Sequence, residues 1–162
     1  MRESFVCGCG LSGRGRMARG AILQEVERLE GSRPGAENVL LFERVTPFFD
    51  RIRKDLPQVV GCEWLGEDAA PGEVRKHGGI KVQHEDMMEL SFADKSLDLI
   101  FHGDVLEHVP DFRSGLAECH RVLRPGGAVL FTVPMFDLAE HLVRAEVLDG
   151  QLVHHLEPAF HG

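Results

Sequence analysis

The sequence predicts an α/β fold, a three-layer sandwich whose mostly parallel sheet carries helices on both faces. Short β-branched and aromatic runs alternate with stretches in which apolar residues recur at helical spacing. Proline or glycine stands where each helix should end. The order strand, helix, strand occurs twice, and two such strands joined by one helix form a right-handed parallel crossover. With 162 residues, 43% of them hydrophobic, one domain with one good core is expected.

The clearest strand–helix–strand unit lies between residues 97 and 133. Residues 97–101 (Leu-Asp-Leu-Ile-Phe) form a short apolar strand after a turn-like segment. Asp111 is placed to cap a helix, whose apolar residues share one face: Phe112, Leu116, Cys119 and Leu123. Residues 124–127 (Arg-Pro-Gly-Gly) cannot extend that helix, so residues 128–133 should form the next strand.

The N-terminal half repeats this order. Residues 38–43 predict the first strand, and Thr46 with Pro47 predicts an N-cap followed by proline at the first helical position. The buried side of this helix should contain Phe48, Phe49, Ile52 and Leu56, and Pro57 ends it. Residues 59–65 predict the second strand and residues 80–84, which alternate, the third, with a loop over residues 66–79.

The two ends of the chain are less regular. We expect residues 1–34 to form an N-terminal segment with a helix over residues 17–29, which packs on the sheet edge or covers a pocket. Residues 35–162 should form the α/β domain, and both parts should make one compact unit. Residues 135–148 are weakly helical. Five predicted strands leave an open sheet edge, through which we hypothesise a homodimer.

Composition and charge exclude several classes of protein. No apolar run reaches the length of a membrane span, and the first residues lack the apolar segment of a secretory signal. Four scattered cysteines fit reduced thiols in the cytoplasm better than a disulfide framework. The net charge of −8 argues against nucleic acid as a partner, although Arg14, Arg16 and Arg19 form a local basic cluster.

Two groups of potential metal ligands occur, and neither predicts a metal site. Cys7 and Cys9 are one residue apart, whereas zinc sites need pairs two to four residues apart and a second pair. A frayed segment with free thiols is the simpler interpretation. His154, His155 and His161 have no carboxylates placed to complete a ligand set.

The middle of the chain resembles a known family. The matching segments are residues 91–100 (Ser-Phe-Ala-Asp-Lys-Ser-Leu-Asp-Leu-Ile), residues 104–109 (Asp-Val-Leu-Glu-His-Val), and Glu118 with residues 121–127 (Arg-Val-Leu-Arg-Pro-Gly-Gly). Their order and spacing resemble class I S-adenosylmethionine-dependent methyltransferases, in particular the group with a type 11 domain. The resemblance covers about a third of the chain. It implies a Rossmann-like fold, here C-terminally short because the final antiparallel strands are not found.

The resemblance implies S-adenosyl-L-methionine as cofactor and S-adenosyl-L-homocysteine as product. Glu63, at the end of the second strand and 20 residues after Glu43, matches the carboxylate that accepts both ribose hydroxyls. Trp64 stacks near the adenine or is a core residue. Glu43 would meet the cationic amino group of the methionine moiety; the alternative is a strand-end carboxylate paired with Arg44 or Arg51. The loop after Glu43 departs from the family pattern because residues 43–47 contain no glycine.

The end of the third strand carries the expected adenine site. Asp86 matches the position whose carboxylate accepts from the exocyclic amine, and Met87 the position whose backbone N–H reaches a ring nitrogen. The Met87 side chain would pack on the purine face. The alternative for Asp86 is the cap of a turn or helix.

The loop after the fourth strand should face the reacting methyl group, because ligands of open α/β sheets bind outside the carboxyl ends of strands. Gly103 permits close approach, and His102 or Asp104 would face the methyl acceptor. His108 is a candidate general base, since an unperturbed imidazole titrates near neutral pH. The alternative is that His108 packs back on the sheet. Glu118 and Arg121 are interpreted as a structural pair.

The expected function is therefore transfer of a methyl group from S-adenosylmethionine to an unidentified small-molecule acceptor. A catalytically inactive, truncated scaffold of the same fold is the alternative, because the first loop lacks glycine and the last strands are not found. A dinucleotide oxidoreductase would need a Gly-x-Gly-x-x-Gly turn after the first strand, and none occurs there.

Overall fold

A computed structural model describes residue 8, residues 10–134, residue 143, residues 145–149 and residues 151–156. The helices and strands are α1 Gly13–Ser32, β1 Val39–Leu41, α2 Pro47–Asp55, β2 Val60–Glu63, β3 Val74–His77, β4 Ile80–His84, β5 Leu97–Gly103, a 3-10 helix Leu106–His108, α3 Phe112–Val122, β6 Leu123–Thr132, β7 Ala145–Leu148 and β8 Gln151–His154. The expectations for Cys7, Cys9, residues 135–142 and His161 lie outside the described residues.

The main sheet has six strands in the order β3-β4-β2-β1-β5-β6. All its neighbours pair in parallel except β3 and β4, which pair antiparallel. The α/β fold with a mostly parallel sheet is thus confirmed, and so are its five predicted strands. The chain leaves β1 toward β2 on one side and reaches β5 on the other, so the strand order reverses at β1.

Two antiparallel hairpins differ from the expectations. Strand β3 was predicted as loop, because its residues Val-Arg-Lys-His expose three of four side chains and show no apolar face. It pairs with β4 across Gly78 and Gly79, whose φ angles of 56° and 84° suit a tight hairpin turn. Strand β7 lies where weak helix was predicted and pairs with β8 across a turn in which Asp149 has φ 52°. This hairpin forms a sheet of its own.

The buried core is divided between the two faces of the sheet. On one face, α1 and α2 pack on residues that include Leu41, Leu99 and Phe101. On the other, α3 packs on residues that include Leu40 and Ile100. Successive residues of β5 alternate between these faces, as the pleat of a strand requires. None of the described helices is long and apolar enough to cross a membrane.

Close packing explains two details of the helices. Gly61 is needed in β2 because a Cβ there would lie 2.4 Å from the Phe49 ring of α2. In α3 the buried residues are Gly115, Cys119 and Val122, whereas Phe112 is 45% exposed. The predicted position of Phe112 on the buried face is wrong, because the helix turns Gly115 toward the core, where Met87 would contact any Cβ at 3.2 Å.

The predicted pair of Glu118 and Arg121 is confirmed, and it fixes the loop before β5. Arg121 lies 2.7 Å from Glu118 and donates to the carbonyl oxygens of Leu90 and Phe92. Glu118 accepts the backbone N–H of Leu90 at 3.0 Å. The helix thereby binds loop backbone through both partners of the ion pair.

Asp98 joins the other end of the sheet. It is fully buried at the start of β5, forms ion pairs with Arg33, which follows α1, and with Arg124 of β6, and accepts the backbone N–H of Asn38 at 3.0 Å. The carboxylate at the start of β5 therefore connects three other segments: the end of α1, the residue before β1, and β6.

We expect Asp98→Ala to lower the free energy of unfolding by about 3 to 5 kcal/mol, because two guanidinium groups lose their buried partner. Urea unfolding followed by circular dichroism measures this change. Asp94→Ala, which removes a carboxylate 73% exposed and paired with Arg121, is the control and should change stability by less than about 1 kcal/mol. Equal effects of the two substitutions would contradict the assignment.

Candidate functional site

A cavity of about 230 Å³ opens at the carboxyl ends of the strands, where the strand order reverses. Its walls come from three parts of the chain: the start of α1, the loop after β1 with the start of α2, and the ends of β5 and β6. The lining residues are Gly10, Leu11, Ser12, Arg14, Gly15, Ala18, Glu43, Thr46, Pro47, Phe48, Phe101, Gly103 and Thr132. Crevices at such reversal points are the usual ligand sites of open α/β sheets.

The first turn of α1 covers the cavity. Ser12 caps this helix by accepting the N–H of Gly15 at 3.1 Å, so α1 begins four residues before the predicted Met17. Ile22, Val26 and Leu29 hold its remaining length on the sheet. The two alternatives considered for this helix, packing on the sheet and covering a pocket, are therefore both realised.

Asp104 connects the cavity walls. Its carboxylate lies 2.6 Å from Arg14 and accepts from the hydroxyl of Thr132 at 2.9 Å. Its backbone N–H donates to the Thr132 carbonyl oxygen, and its φ of 52° is rare for a residue other than glycine. Such backbone strain persists where surrounding contacts hold it, and it is common at functional sites.

Glu63 holds the glycine-free loop after β1. One carboxylate oxygen, Oε1, accepts the backbone N–H of Arg44 at 2.7 Å and that of Val45 at 3.0 Å. No described residue donates to the other oxygen, Oε2. The neighbouring Trp64 is 61% exposed, so the alternative of a core tryptophan is wrong.

Glu43 is a partly buried carboxyl that lines the cavity. Within the described chain, it has neither a hydrogen bond nor an ion pair, and the alternative pairing with Arg44 or Arg51 is not found. The Arg44 guanidinium instead lies 4.8 Å from the centre of the Phe49 ring. Burial raises the pKa of Glu43 to about 7; Glu63 and Asp104 act in the same direction, and Arg14 opposes them.

Asp86 and Met87 lie in a turn after β4, next to the end of β2. Asp86 accepts the N–H of Met88 at 2.8 Å, so it caps a turn, as its alternative interpretation had it. The Met87 side chain is 3% exposed and packs under α3 in the core, which leaves its backbone as the part able to face a purine. No acceptor for the Met87 N–H is found among the described residues. Glu85 fixes this turn by accepting from Ser91 N–H at 2.8 Å.

The structure places neither candidate histidine in the cavity wall. His102 is fully buried on the α3 face of β5, stacked 5.3 Å from Phe131, and its ring nitrogens have no hydrogen-bond partner among the described residues. Burial lowers the pKa of His102 to about 4, so the ring is neutral at physiological pH. His108 lies exposed in the 3-10 helix, and the cavity lining does not include it.

Sequence reasoning missed Arg14 and Thr132. The predicted basic cluster of Arg14, Arg16 and Arg19 is divided among separate partners. Arg14 pairs with Asp104, and Arg19 pairs with Asp55. Arg16 donates to the Leu11 carbonyl oxygen. Ser12 is a preferred N-cap residue, and taking it as the cap would have placed Arg14 in the first turn of α1. Among the described residues, no three histidine, cysteine, aspartate or glutamate side chains are grouped to hold a metal ion.

Comparison with known proteins gives a family match in the centre of the chain. The family model described as "Methyltransferase domain" matches residues 49–131, about half of the chain. A "probable S-adenosylmethionine-dependent methyltransferase" of Mycolicibacterium smegmatis is 33% identical over 78 residues, 48% of this chain and 30% of that protein. Demethylmenaquinone methyltransferase of Staphylococcus epidermidis is 44% identical over 63 residues, 35% of this chain and 26% of that protein. The chain thus matches about a third or less of the length of these relatives.

Two solved structures are similar over most of the chain. The complex between the Haloferax volcanii Trm112 methyltransferase activator and a methyltransferase matches with a TM-score of 0.44 and 19% identity, covering 82% of this chain and 61% of that one. The methyltransferase CalH in complex with SAH matches with a TM-score of 0.48 and 14% identity, covering 76% and 36%.

The raised pKa of Glu43 predicts a change of stability with pH. Its carboxyl is protonated more readily in the folded chain than at its ordinary pKa of 4.5, so its contribution to stability is complete below pH 4.5 and is lost as the pH rises through about 7. Glu43→Gln should remove this loss. Relative to the unsubstituted chain, we expect the variant to gain about 3 kcal/mol in free energy of unfolding between pH 4.5 and pH 8. Urea unfolding across this range measures it, and parallel pH profiles of the two proteins would contradict it.

Proposed function

This chain belongs to the methyltransferase domain family, and from that premise we propose that it is an S-adenosylmethionine-dependent methyltransferase acting on a small-molecule acceptor. The observation that carries the proposal is the cavity at the strand-order reversal, lined by Arg14 and by Glu43, a carboxyl with no hydrogen bond or ion pair among the described residues. S-adenosylmethionine supplies an electrophilic methyl group on a positively charged sulfur. The chain's task is then to bind, orient and desolvate the reactants.

The residues of the cavity fit the amino-acid end of this cofactor. Its ammonium group needs a carboxylate, and the side chain of Glu43 would supply one in the cavity wall. Its carboxylate group needs a positive partner, and the N-terminal end of α1 would provide one in the same wall, next to the ion pair of Arg14 with Asp104. A zwitterionic ligand therefore matches both signs of charge at the cavity.

The nucleoside end is assigned to the neighbouring strand ends. Glu63 retains Oε2 as an acceptor for ribose hydroxyls, and exposed Trp64 follows it directly. The end of β2 is next to the turn after β4, since the Glu85 N–H donates to the Glu63 carbonyl oxygen at 3.1 Å. Asp86 and the Met87 N–H would face the adenine from that turn.

Gly103 and Asp104 are the proposed residues nearest the reacting methyl group. Asp104 acts as a positioning residue, because its ion pair with Arg14 and its hydrogen bond from Thr132 hold the ends of β5 and β6 against α1. We assign no proton transfer to His102 or His108. Displacement at a sulfonium methyl needs an aligned nucleophile, and a dedicated base is optional.

A small acceptor with apolar character fits the end of β6. Phe131 and Val133 are 50% and 41% exposed there and flank the cavity residue Thr132 in the sequence, although the Phe131 ring stacks on His102 on the opposite face of the sheet. The staphylococcal relative is named for demethylmenaquinone, which is consistent with such an acceptor.

The second candidate function is a catalytically inactive scaffold. In a glycine-rich loop, backbone N–H groups would contact the cofactor, but here the N–H groups of Arg44 and Val45 are bound to Glu63 instead.

Self-association through β6 is a further proposal about partners. Among the described strands, β6 pairs only with β5, so its other edge presents backbone donors and acceptors. Sedimentation velocity should then detect a species of twice the 18.0 kDa chain mass. A strictly monomeric chain at high concentration would contradict pairing at this edge.

We expect the purified chain to bind S-adenosylhomocysteine in calorimetric titration and Glu63→Ala to weaken this binding by about tenfold to a hundredfold, because hydrogen bonds to a charged group are lost. Glu63→Gln keeps an oxygen for the N–H groups of Arg44 and Val45 and should lose less. Glu67→Ala removes an exposed carboxylate of the following loop and should leave affinity unchanged. A folded, unsubstituted sample that binds no S-adenosylhomocysteine would favour the scaffold.

A further inference from the structure

The carboxylates around the cavity differ in their hydrogen bonds and ion pairs. Asp104 has the Arg14 guanidinium and the Thr132 hydroxyl, and Glu63 has two backbone N–H groups. Glu43 is the third carboxyl, and the described residues give it neither a hydrogen bond nor an ion pair. Partial burial without a donor disfavours the ionised form of a carboxyl, so it favours protonation or a ligand that brings a cation.

Three elements around Glu43 bring a charge toward it. Glu63 acts from β2, Asp104 from the loop after β5, and Arg14 from α1. On its own loop, Arg44 is held over the Phe49 ring. Arg14 opposes the negative charges, but it is already paired with Asp104, so among the described residues ionised Glu43 adds a negative charge next to two other carboxylates. The pKa of Glu43, raised to about 7, agrees with this arrangement.

The proposed ligand changes charge during the reaction. S-adenosylmethionine carries an ammonium, a carboxylate and a sulfonium, whereas S-adenosylhomocysteine lacks the sulfonium and has no net charge. Three carbon atoms separate the ammonium nitrogen from the sulfur. A carboxylate that binds the ammonium is therefore also attracted to the sulfonium charge. This attraction is stronger where the local dielectric constant is low.

We propose, on the basis of the proposed function, that Glu43 releases its proton to solvent when S-adenosylmethionine binds and regains one after methyl transfer. In the transfer, the acceptor atom forms a bond to the methyl carbon, the carbon–sulfur bond breaks, and its electron pair remains on sulfur. The acceptor's own proton leaves to solvent. With the sulfonium charge gone, Glu43 takes up a proton from solvent, and the site then holds the neutral product less tightly than the cationic substrate.

Calorimetric titrations at pH 7.0, in phosphate and in Tris, count the protons released on binding, since the two buffers differ in ionisation enthalpy. We expect S-adenosylmethionine to release about half a proton per site from a carboxyl that is half protonated at this pH. S-adenosylhomocysteine should release fewer. From pH 6 to pH 8, the preference for S-adenosylmethionine over S-adenosylhomocysteine should rise by about three- to tenfold.

Glu43→Gln is the decisive variant, because the amide keeps the shape of the side chain and does not titrate. It should release no proton from this position, and its preference for S-adenosylmethionine should stay constant from pH 6 to pH 8. Glu37→Gln is the matched control, since Glu37 is exposed before β1, at the opposite end of that strand, and should behave as the unsubstituted chain.

Two results would overturn the proposal. One is binding of S-adenosylmethionine to the unsubstituted chain without proton release at pH 7.0, and the other is unchanged release in a folded Glu43→Gln variant. Failure of the proposed function gives a different result, because then neither ligand binds at any pH.

Discussion

Parallel pairing of β1 with β2 on one side and with β5 on the other is the constraint that organises this molecule. Because the chain leaves β1 toward β2 on one side and later reaches β5 on the other, the loops after β1 and β5 diverge, and a cavity remains between them. At the other end of the same strands, Asp98 closes the structure by binding Arg33, Arg124 and the Asn38 backbone. The sheet is thus fixed by buried charge at one end and left open to a ligand at the other.

The open end concentrates negative charge, and the protein neutralises it unevenly. Backbone N–H groups bind Glu63, and Arg14 with Thr132 binds Asp104, while Glu43 has neither a hydrogen bond nor an ion pair among the described residues. Full neutralisation would make a more stable protein with less affinity for a cation. A carboxyl without a hydrogen bond or ion pair from the described residues lowers stability at neutral pH and would provide a binding site in the proposed function, which is a common relation between function and stability.

Residue patterns predicted the helices and strands that have a clear buried face or a capping residue. The five parallel strands are apolar and flanked by turn residues, and Thr46 and Asp111 cap their helices as expected. Strand β3 was not predicted, because an exposed hairpin at the sheet edge forms through backbone pairing and a glycine turn. Its residues Val-Arg-Lys-His show no alternation of buried and exposed side chains.

The site was predicted only in part. Glu43 and Glu63 are read from strand ends, but the contact of Arg14 with Asp104 joins residues 90 positions apart, which no local pattern encodes.

The glycine-free loop after β1 can be explained by what replaces the glycines. In a glycine-rich loop, bare backbone N–H groups approach the ligand, because no side chain is in the way. Here the N–H groups of Arg44 and Val45 point to Glu63, which makes the loop rigid but removes them as ligand donors. Donors for an anionic group must then come from elsewhere, and the cavity wall offers the first turn of α1 with Arg14. We therefore propose α1 as part of the binding site, so that a ligand's negative group would be bound by a helix that lies before the matched family region in the chain.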